Sequence, residues 1–268
     1  MIQLICSDSM ILMEALKMRF DMIFLDPPYF EWQDRPLPHG ESKDRYAQSG
    51  VKPDHNRLSY LAYRLLKPNG TVWLCGTQPQ LVRDWKYWDR FFELLFELIA
   101  YKNAGTPPIN MKQPIRTHEN IWCLYSKRDS LKDLKVDIRK LAKEGRKVKA
   151  VKEAKRMPTR YDEWMEWSTE KHYPKSVVHV KRIDAKSKEY EGHPAQKPLD
   201  LMRLILKMAT DEDDWILDPF AGVATTLVAA QELNRNCLGI EINPEYCRLA
   251  MRRLRRIKEL EKIEKWLI

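Results

Sequence analysis

Short apolar runs alternate with longer amphipathic stretches along most of the chain, the pattern of an α/β protein with a largely parallel sheet covered on both faces. Seven runs are predicted as strands: Ile2 to Cys6, Met22 to Leu25, Thr71 to Cys75, Leu95 to Tyr101, Asn120 to Tyr125, Trp215 to Leu217 and Asn236 to Ile240. Helices are predicted between them. One runs from His55 to Leu66 and stops at Lys67-Pro68-Asn69-Gly70, where proline and glycine end the helix and turn the chain. Another follows Gln78-Pro79 and carries Leu81, Trp85 and Trp88. A third spans Leu199 to Ala209 behind Pro198, because proline is tolerated at a helix start. The last begins at Pro244 and is expected to cap the sheet.

The alternation breaks twice. Residues 30 to 54 are polar, with Pro36, Pro38 and Pro53, and are expected to form a long loop over a strand end. From Lys127 to Gly192 a basic amphipathic helix is predicted on Leu131, Leu134, Ile138 and Leu141. Gly145 interrupts it, a second basic stretch follows, and then an aromatic segment with Tyr161, Trp164, Trp167, His172 and Tyr173. The organisation expected is therefore 1–126, a basic insert at 127–192, and 193–268.

Charge sharpens that division. Residues 127 to 160 hold 14 lysines and arginines against 5 acids, a net of +9 that equals the net charge of the whole chain. So concentrated an excess is the footprint of a phosphate-binding surface, and Lys140, Lys143, Arg146 and Lys147 are the candidate contacts. The 268 residues suffice for one good core plus a small appendage. No apolar stretch is long enough to span a membrane, and the start of the chain has no signal-peptide pattern. Cys6, Cys75, Cys123, Cys237 and Cys247 are odd in number, scattered and set in apolar segments. They are read as reduced, mostly buried thiols, with no metal-ligand spacing.

Three constellations carry the candidate chemistry. Asp26-Pro27-Pro28-Tyr29 directly follows the apolar run Met22 to Leu25, which puts an acid, a stiff extended turn and an aromatic ring at the carboxyl end of a buried strand. The acid and a free carbonyl make a two-acceptor receiver for an amino group. Trp215-Ile216-Leu217-Asp218-Pro219-Phe220-Ala221-Gly222 is a strand and tight turn entering a helical segment from Val223. Gly222 allows close backbone approach, and the helix start offers N–H groups to an anion. About twenty residues on, Glu241 ends the next strand, where an acid suits the two hydroxyls of a ribose. The third is His193-Pro194-Ala195-Gln196-Lys197-Pro198, just before a helix.

In this order the motifs resemble the amino-group DNA methyltransferases (adenine-N6 or cytosine-N4) of the permuted β class, over nearly the whole chain. Leu-Lys-Pro-Asn-Gly at 66 to 70, His118-Glu119-Asn120 and Tyr173-Pro174-Lys175-Ser176 add to the likeness. The resemblance implies a Rossmann-like α/β fold with a mixed seven-stranded sheet, circularly permuted motif order and a small basic target-recognition insert. It implies S-adenosylmethionine as cofactor and no metal. Asp26, Pro27, Pro28 and Tyr29 would be catalytic. Asp8, His193, Gln196, Lys197, Pro198, Asp218, Pro219, Phe220, Ala221, Gly222, Thr225, Glu241 and Asn243 would hold the cofactor, with the His193 to Pro198 run at its methionine end. Double-stranded DNA is the implied partner, with a cognate restriction endonuclease as a second candidate, for a cytoplasmic monomer or homodimer that is prokaryotic or phage-encoded. An acid at the first catalytic position favours adenine-N6 over cytosine-N4, since serine is commoner in the latter group. Relatives acting on RNA generally place the cofactor half first, unlike this chain. A DNA-binding accessory protein with a decayed cofactor site is the alternative of another class. One departure bears on it: the family's second loop glycine is Ala224 here.

Overall fold

The computed structural model describes residues 1–28, 53–106, 114–141, 143–144, 171–172 and 175–266. In chain order the elements are β1 (Ile2–Cys6), α1 (Ser9–Ala15), β2 (Phe20–Leu25), α2 (His55–Leu65), β3 (Leu66–Gly76), α3 (Gln78–Trp88), β4 (Phe92–Thr106) and β5 (Arg116–Ser126). After two 3₁₀ turns come β6 (Lys143–Glu144), β7 (Lys171–His172), β8 (Val177–Val180), α4 (Leu199–Ala209), β9 (Trp215–Asp218), α5 (Thr225–Glu232), β10 (Asn236–Glu241) and α6 (Pro244–Trp266). β6 and β7 pair only with each other, and the other eight strands form one sheet in the order β1-β10-β9-β2-β3-β5-β4-β8.

Alternation along each strand sorts the core into two layers. Met22 and Phe24 of β2, with Trp73 and Cys75 of β3, face Leu201, Met202, Ile205 and Leu206 of α4, Leu227 and Ala229 of α5 and Ala250 of α6. Ile23 and Leu25, with Val72 and Leu74, face Met10 and Met13 of α1, Leu58, Leu61 and Leu65 of α2, and Leu81 and Trp88 of α3. Being buried on both faces, β2 reads as a continuous apolar run.

The topology decides where a ligand can sit. β1, β10, β9, β2 and β3 are mutually parallel, so their carboxyl ends share one rim. The crossover helix α5 lies on one face and α2 on the other. The winding therefore reverses between β9 and β2, which pair through Met22–Ile216 and Ile23–Leu217. Such a switch point opens a crevice at the carboxyl ends. Asp26 and Asp218 stand on its two sides.

Two expectations are corrected. The sheet has eight strands, not seven: Val177–Val180 adds parallel to β4 and covers an edge that would otherwise be open. Residues 131 to 141 form no continuous helix, because their backbone bonds go outward to the rest of the fold. Lys135 N–H donates to the Asn69 carbonyl at 3.0 Å and Asp137 N–H to that of Met208 at 2.9 Å, leaving only the 3₁₀ turns Leu131–Asp133 and Ile138–Leu141. The Lys135 ammonium clamps Asp21 at 2.6 Å and Asp214 at 2.7 Å, with Lys67 on the same Asp21 at 2.7 Å. Burial acts to raise the Asp21 pKa, but the two lysines outweigh it and hold the carboxyl below its ordinary value. This cluster lies at the amino ends of β2 and β9, the rim opposite the crevice.

Candidate active site

A cavity of about 440 Å³ occupies the crevice, within the range that takes cofactor-sized ligands. One wall is Asp26, Pro27 and Pro28 from the end of β2, with Gly76 and Thr77 from the end of β3. The opposite wall is Pro219, Phe220 and Gly222, with Glu241, Ile242 and Asn243 from the end of β10. Lys102, Arg116, His118 and Glu119 from β4 and β5 complete it, with exposed Arg182. Tyr29 lies outside the described residues.

The glycine turn is built around Glu241. Its carboxylate accepts the Gly222 N–H and the Asn243 N–H, each at 2.8 Å. Gly222 has φ +50°, a left-handed conformation that glycine adopts freely. Ala224 follows at φ 63°, ψ 36° and caps α5 fully buried, so the chain takes this turn with a methyl group at the cost of local strain. Burial pushes the Glu241 carboxyl upward. Asp218, 2 % exposed, accepts the Phe220 N–H at 3.1 Å. Burial, with Asp26 and Glu241 nearby, pushes its pKa up to about 7.

The His193 to Pro198 turn is locked from behind. Gln196 spends its side chain on backbone, accepting from Glu191 N–H at 2.9 Å and donating to the Glu189 carbonyl at 2.7 Å. Glu189 also accepts the Leu199 N–H at the start of α4, at 2.6 Å. Arg253, 3 % exposed, faces Glu189 and Glu191 at 3.9 and 3.8 Å and donates to Thr225 Oγ1 at 3.0 Å and the Val223 carbonyl at 3.1 Å. The His193 ring meets Tyr246 edge-on at 4.4 Å, and burial pushes its pKa down to about 4, leaving it neutral at physiological pH.

The locked turn delivers Lys197 to the opposite half of the site. Its buried ammonium forms an ion pair with Asp26 and faces Glu119 at 3.6 Å. Glu119 pairs in turn with Lys102. Burial would raise the Glu119 carboxyl, yet Lys197 and Lys102 hold it at about 2.

Of the residues read from sequence, Asp8, Asp26, Pro27, Pro28, His193, Gln196, Pro219, Phe220, Gly222, Glu241 and Asn243 line the cavity. Lys197, Pro198, Asp218, Ala221 and Thr225 are buried and do not line it. Asp8 lies two residues past β1 and caps α1, accepting from Met10 and Ile11 N–H at 2.7 and 3.2 Å. Lys140 is not brought to the cavity: it pairs with Asp211 at 2.7 Å on the far rim. The side chains of Lys143, Arg146 and Lys147 lie outside the described residues. Glu119, Lys102, Glu189, Glu191 and Arg253 were missed. His118-Glu119-Asn120 was recognisable as a motif, but no local signal marks Glu119 as a partner of Lys197.

A family model described as DNA methylase, of the N6/N4 methyltransferase kind, matches residues 20–252. Type II methyltransferase M2.MboI of Moraxella bovis is 27 % identical over 255 residues, covering 91 % of this chain and 84 % of that protein. DNA adenine methyltransferase YhdJ of Escherichia coli is 42 % identical over 81 residues, 30 % of this chain and 28 % of that one. Among solved structures, the M1.HpyAVI complex with SAM aligns over 95 % of this chain and 100 % of that one, with TM-score 0.59 and 21 % identity. The cytosine-N4-specific PvuII DNA methyltransferase aligns over 93 % and 85 %, with TM-score 0.61 and 17 % identity. With the family model matching from residue 20 to residue 252 and both halves of the site meeting at one rim, this chain belongs to the DNA methylase family of the N6/N4 class, enzymes that methylate an amino group of DNA from S-adenosylmethionine.

Proposed function

We propose that this enzyme methylates the N6 amino group of adenine in double-stranded DNA, by extruding the base and transferring the methyl group directly in line. The observation that carries the reading is the placement of Asp26 and Glu241 in one cavity at the switch point. The residues present fit S-adenosylmethionine. Glu241 offers a carboxylate for sugar hydroxyls, with lone pairs beyond those used by Gly222 and Asn243 N–H, beside the apolar surfaces of Phe220, Pro219 and Ile242. His193 and Gln196 would flank the methionine end. When bound, this donor supplies an electrophilic methyl group on a sulfonium.

An exocyclic nitrogen is a poor nucleophile because its lone pair is delocalised into the ring, and it is unreachable inside a stacked duplex. Asp26 and the Pro27 carbonyl would each accept one of its N–H bonds, localising the lone pair and aiming it at the methyl carbon. The nitrogen would take the methyl group that the bound donor supplies, the carbon–sulfur electron pair staying with the donor, and its surplus proton would leave along the Asp26 hydrogen bond to water. Tyr29 would stack on the base. Direct transfer to the amino nitrogen requires no thiol nucleophile, and Cys75, Cys123 and Cys237 are buried, with burial pushing each well above its ordinary pKa. Arg116 and Arg182, which line the cavity, would meet DNA phosphates together with Lys143, Arg146 and Lys147 of the basic insert. Among the described residues no helix is long and apolar enough to cross a membrane.

Adenine rests on the acid at Asp26. The fold leaves the base open, since the PvuII enzyme shares it and is cytosine-N4-specific. The test is incubation with labelled S-adenosylmethionine and mixed-sequence duplex DNA, followed by digestion to nucleosides. N6-methyl-2′-deoxyadenosine as the labelled product is expected. N4-methyl-2′-deoxycytidine would overturn the base, and no labelled nucleoside would favour a decayed cofactor site.

A further inference from the structure

Lys197 stands in the turn expected to hold the cofactor, but its ammonium points elsewhere. It is 6 % exposed, does not line the cavity, and is committed to Asp26, with Glu119 at 3.6 Å on its other side. Glu119 is paired beyond that with Lys102. The result is a chain of alternating charge, Asp26–Lys197–Glu119–Lys102, drawn from the end of β2, the 193–198 turn, β5 and β4. Each link crosses between elements, so the catalytic carboxylate is anchored to both halves of the permuted domain. We propose that Lys197 is a positioning residue for methyl transfer: its ion pair fixes the carboxylate plane of Asp26 and keeps it an acceptor for the target amino group, while Glu119 holds the ammonium in place. This rests on the amino-methylation reading above.

The need for a cation follows from the surroundings. Asp218 at the end of β9, the Cys75 thiol on β3, neutral His193 and Glu119 on β5 all stand close enough to act electrostatically on or with Asp26 or Lys197. Two of these are acids, and a bound base and donor would exclude water, so the Lys197 ammonium stands as a cation against the Asp26 carboxylate in a site poor in solvent. A group held by a locked partner keeps its aim, on which in-line transfer depends.

The experiment is single-turnover transfer to duplex DNA at saturating S-adenosylmethionine, across pH, with cofactor affinity measured separately by calorimetry. Wild type is compared with Lys197→Met, Lys197→Arg and the double variant Lys197→Met/Glu119→Gln, which removes one charge of each sign and so leaves the net charge of the cluster unchanged. Lys197→Met is expected to lose roughly 10²-fold or more in rate and to keep wild-type cofactor affinity. Lys197→Arg recovers part of the rate, and the double variant shows the same deficit in a stably folded protein. Weakened cofactor binding with an unchanged saturated rate would overturn the inference in favour of a cofactor ligand. A double variant with wild-type rate would also overturn it. Absence of transfer by the wild-type enzyme is a separate result, and would overturn the amino-methylation reading together with this inference.

Discussion

Glu119→Gln isolates the energetic role of the charge chain at the base of the site. The Glu119 carboxyl is 23 % exposed on its side chain and is held at about 2 by Lys197 and Lys102, against an ordinary value of 4.5. A folded-state pKa below the unfolded one contributes stability above the unfolded pKa and loses it as pH falls toward the folded pKa. At about 1.4 kcal/mol per unit, a gap of roughly 2.5 units is worth about 3 kcal/mol at pH 7. By the same linkage it shrinks to about 1.4 kcal/mol near pH 3 and vanishes below about pH 2. The variant, which cannot ionise, should therefore be about 3 kcal/mol less stable than wild type at neutral pH and nearly equal in strong acid. Urea denaturation of both proteins at pH 7, 5 and 3 measures this difference. A deficit constant across that range would refute the reasoning, because it would show lost packing or hydrogen bonding and not a held charge.

Two further perturbations test other parts of the account. Ala224→Val places a β-branched side chain at φ 63° in a fully buried position. Left-handed strain and overpacking together predict a loss of about 2–4 kcal/mol in urea denaturation and weakened S-adenosylmethionine binding, whereas Ala224→Gly should stay within about 1 kcal/mol of wild type with affinity retained. In DNA binding followed by fluorescence anisotropy, neutralising Lys143, Arg146 and Lys147 together should weaken affinity and flatten its salt dependence, with cofactor affinity intact. Lys140→Ala alone should change neither, because Lys140 is engaged with Asp211 on the rim away from the cavity; a loss comparable to the triple variant would contradict that placement.

Much of the fold was legible because buried strands write themselves as apolar runs. All seven predicted strands are present, and Met22 to Leu25 lies within β2. The errors have physical causes. β3 begins at Leu66, ahead of the predicted Thr71, because Leu66 pairs with Phe20 across a register shift before the regular ladder resumes. β8 is a four-residue edge strand in a charge-dominated stretch, with half its side chains in solvent, so it carries little apolar signal. α1 is seven residues long, and its capping Asp8 was read only as a cofactor acid. In the site, motifs located the residues that end strands, since strand ends converge by topology alone. They did not reveal that Lys197 reaches Asp26, 171 positions away, or that Arg253 clamps the turn through Glu189 and Glu191. Ion pairs between distant segments depend on the finished packing, which local pattern does not encode.

The central claim is that Asp26 acts on the target amino group in a cavity whose other wall holds the methyl donor. Single-turnover transfer by Asp26→Ala, measured beside its affinities for S-adenosylmethionine and DNA, tests it most directly. The account predicts both affinities close to wild type and a transfer rate lower by roughly 10²–10³-fold, the scale for losing one preorganised hydrogen-bonding group at a reacting centre. A variant that transfers methyl at the wild-type rate would contradict it.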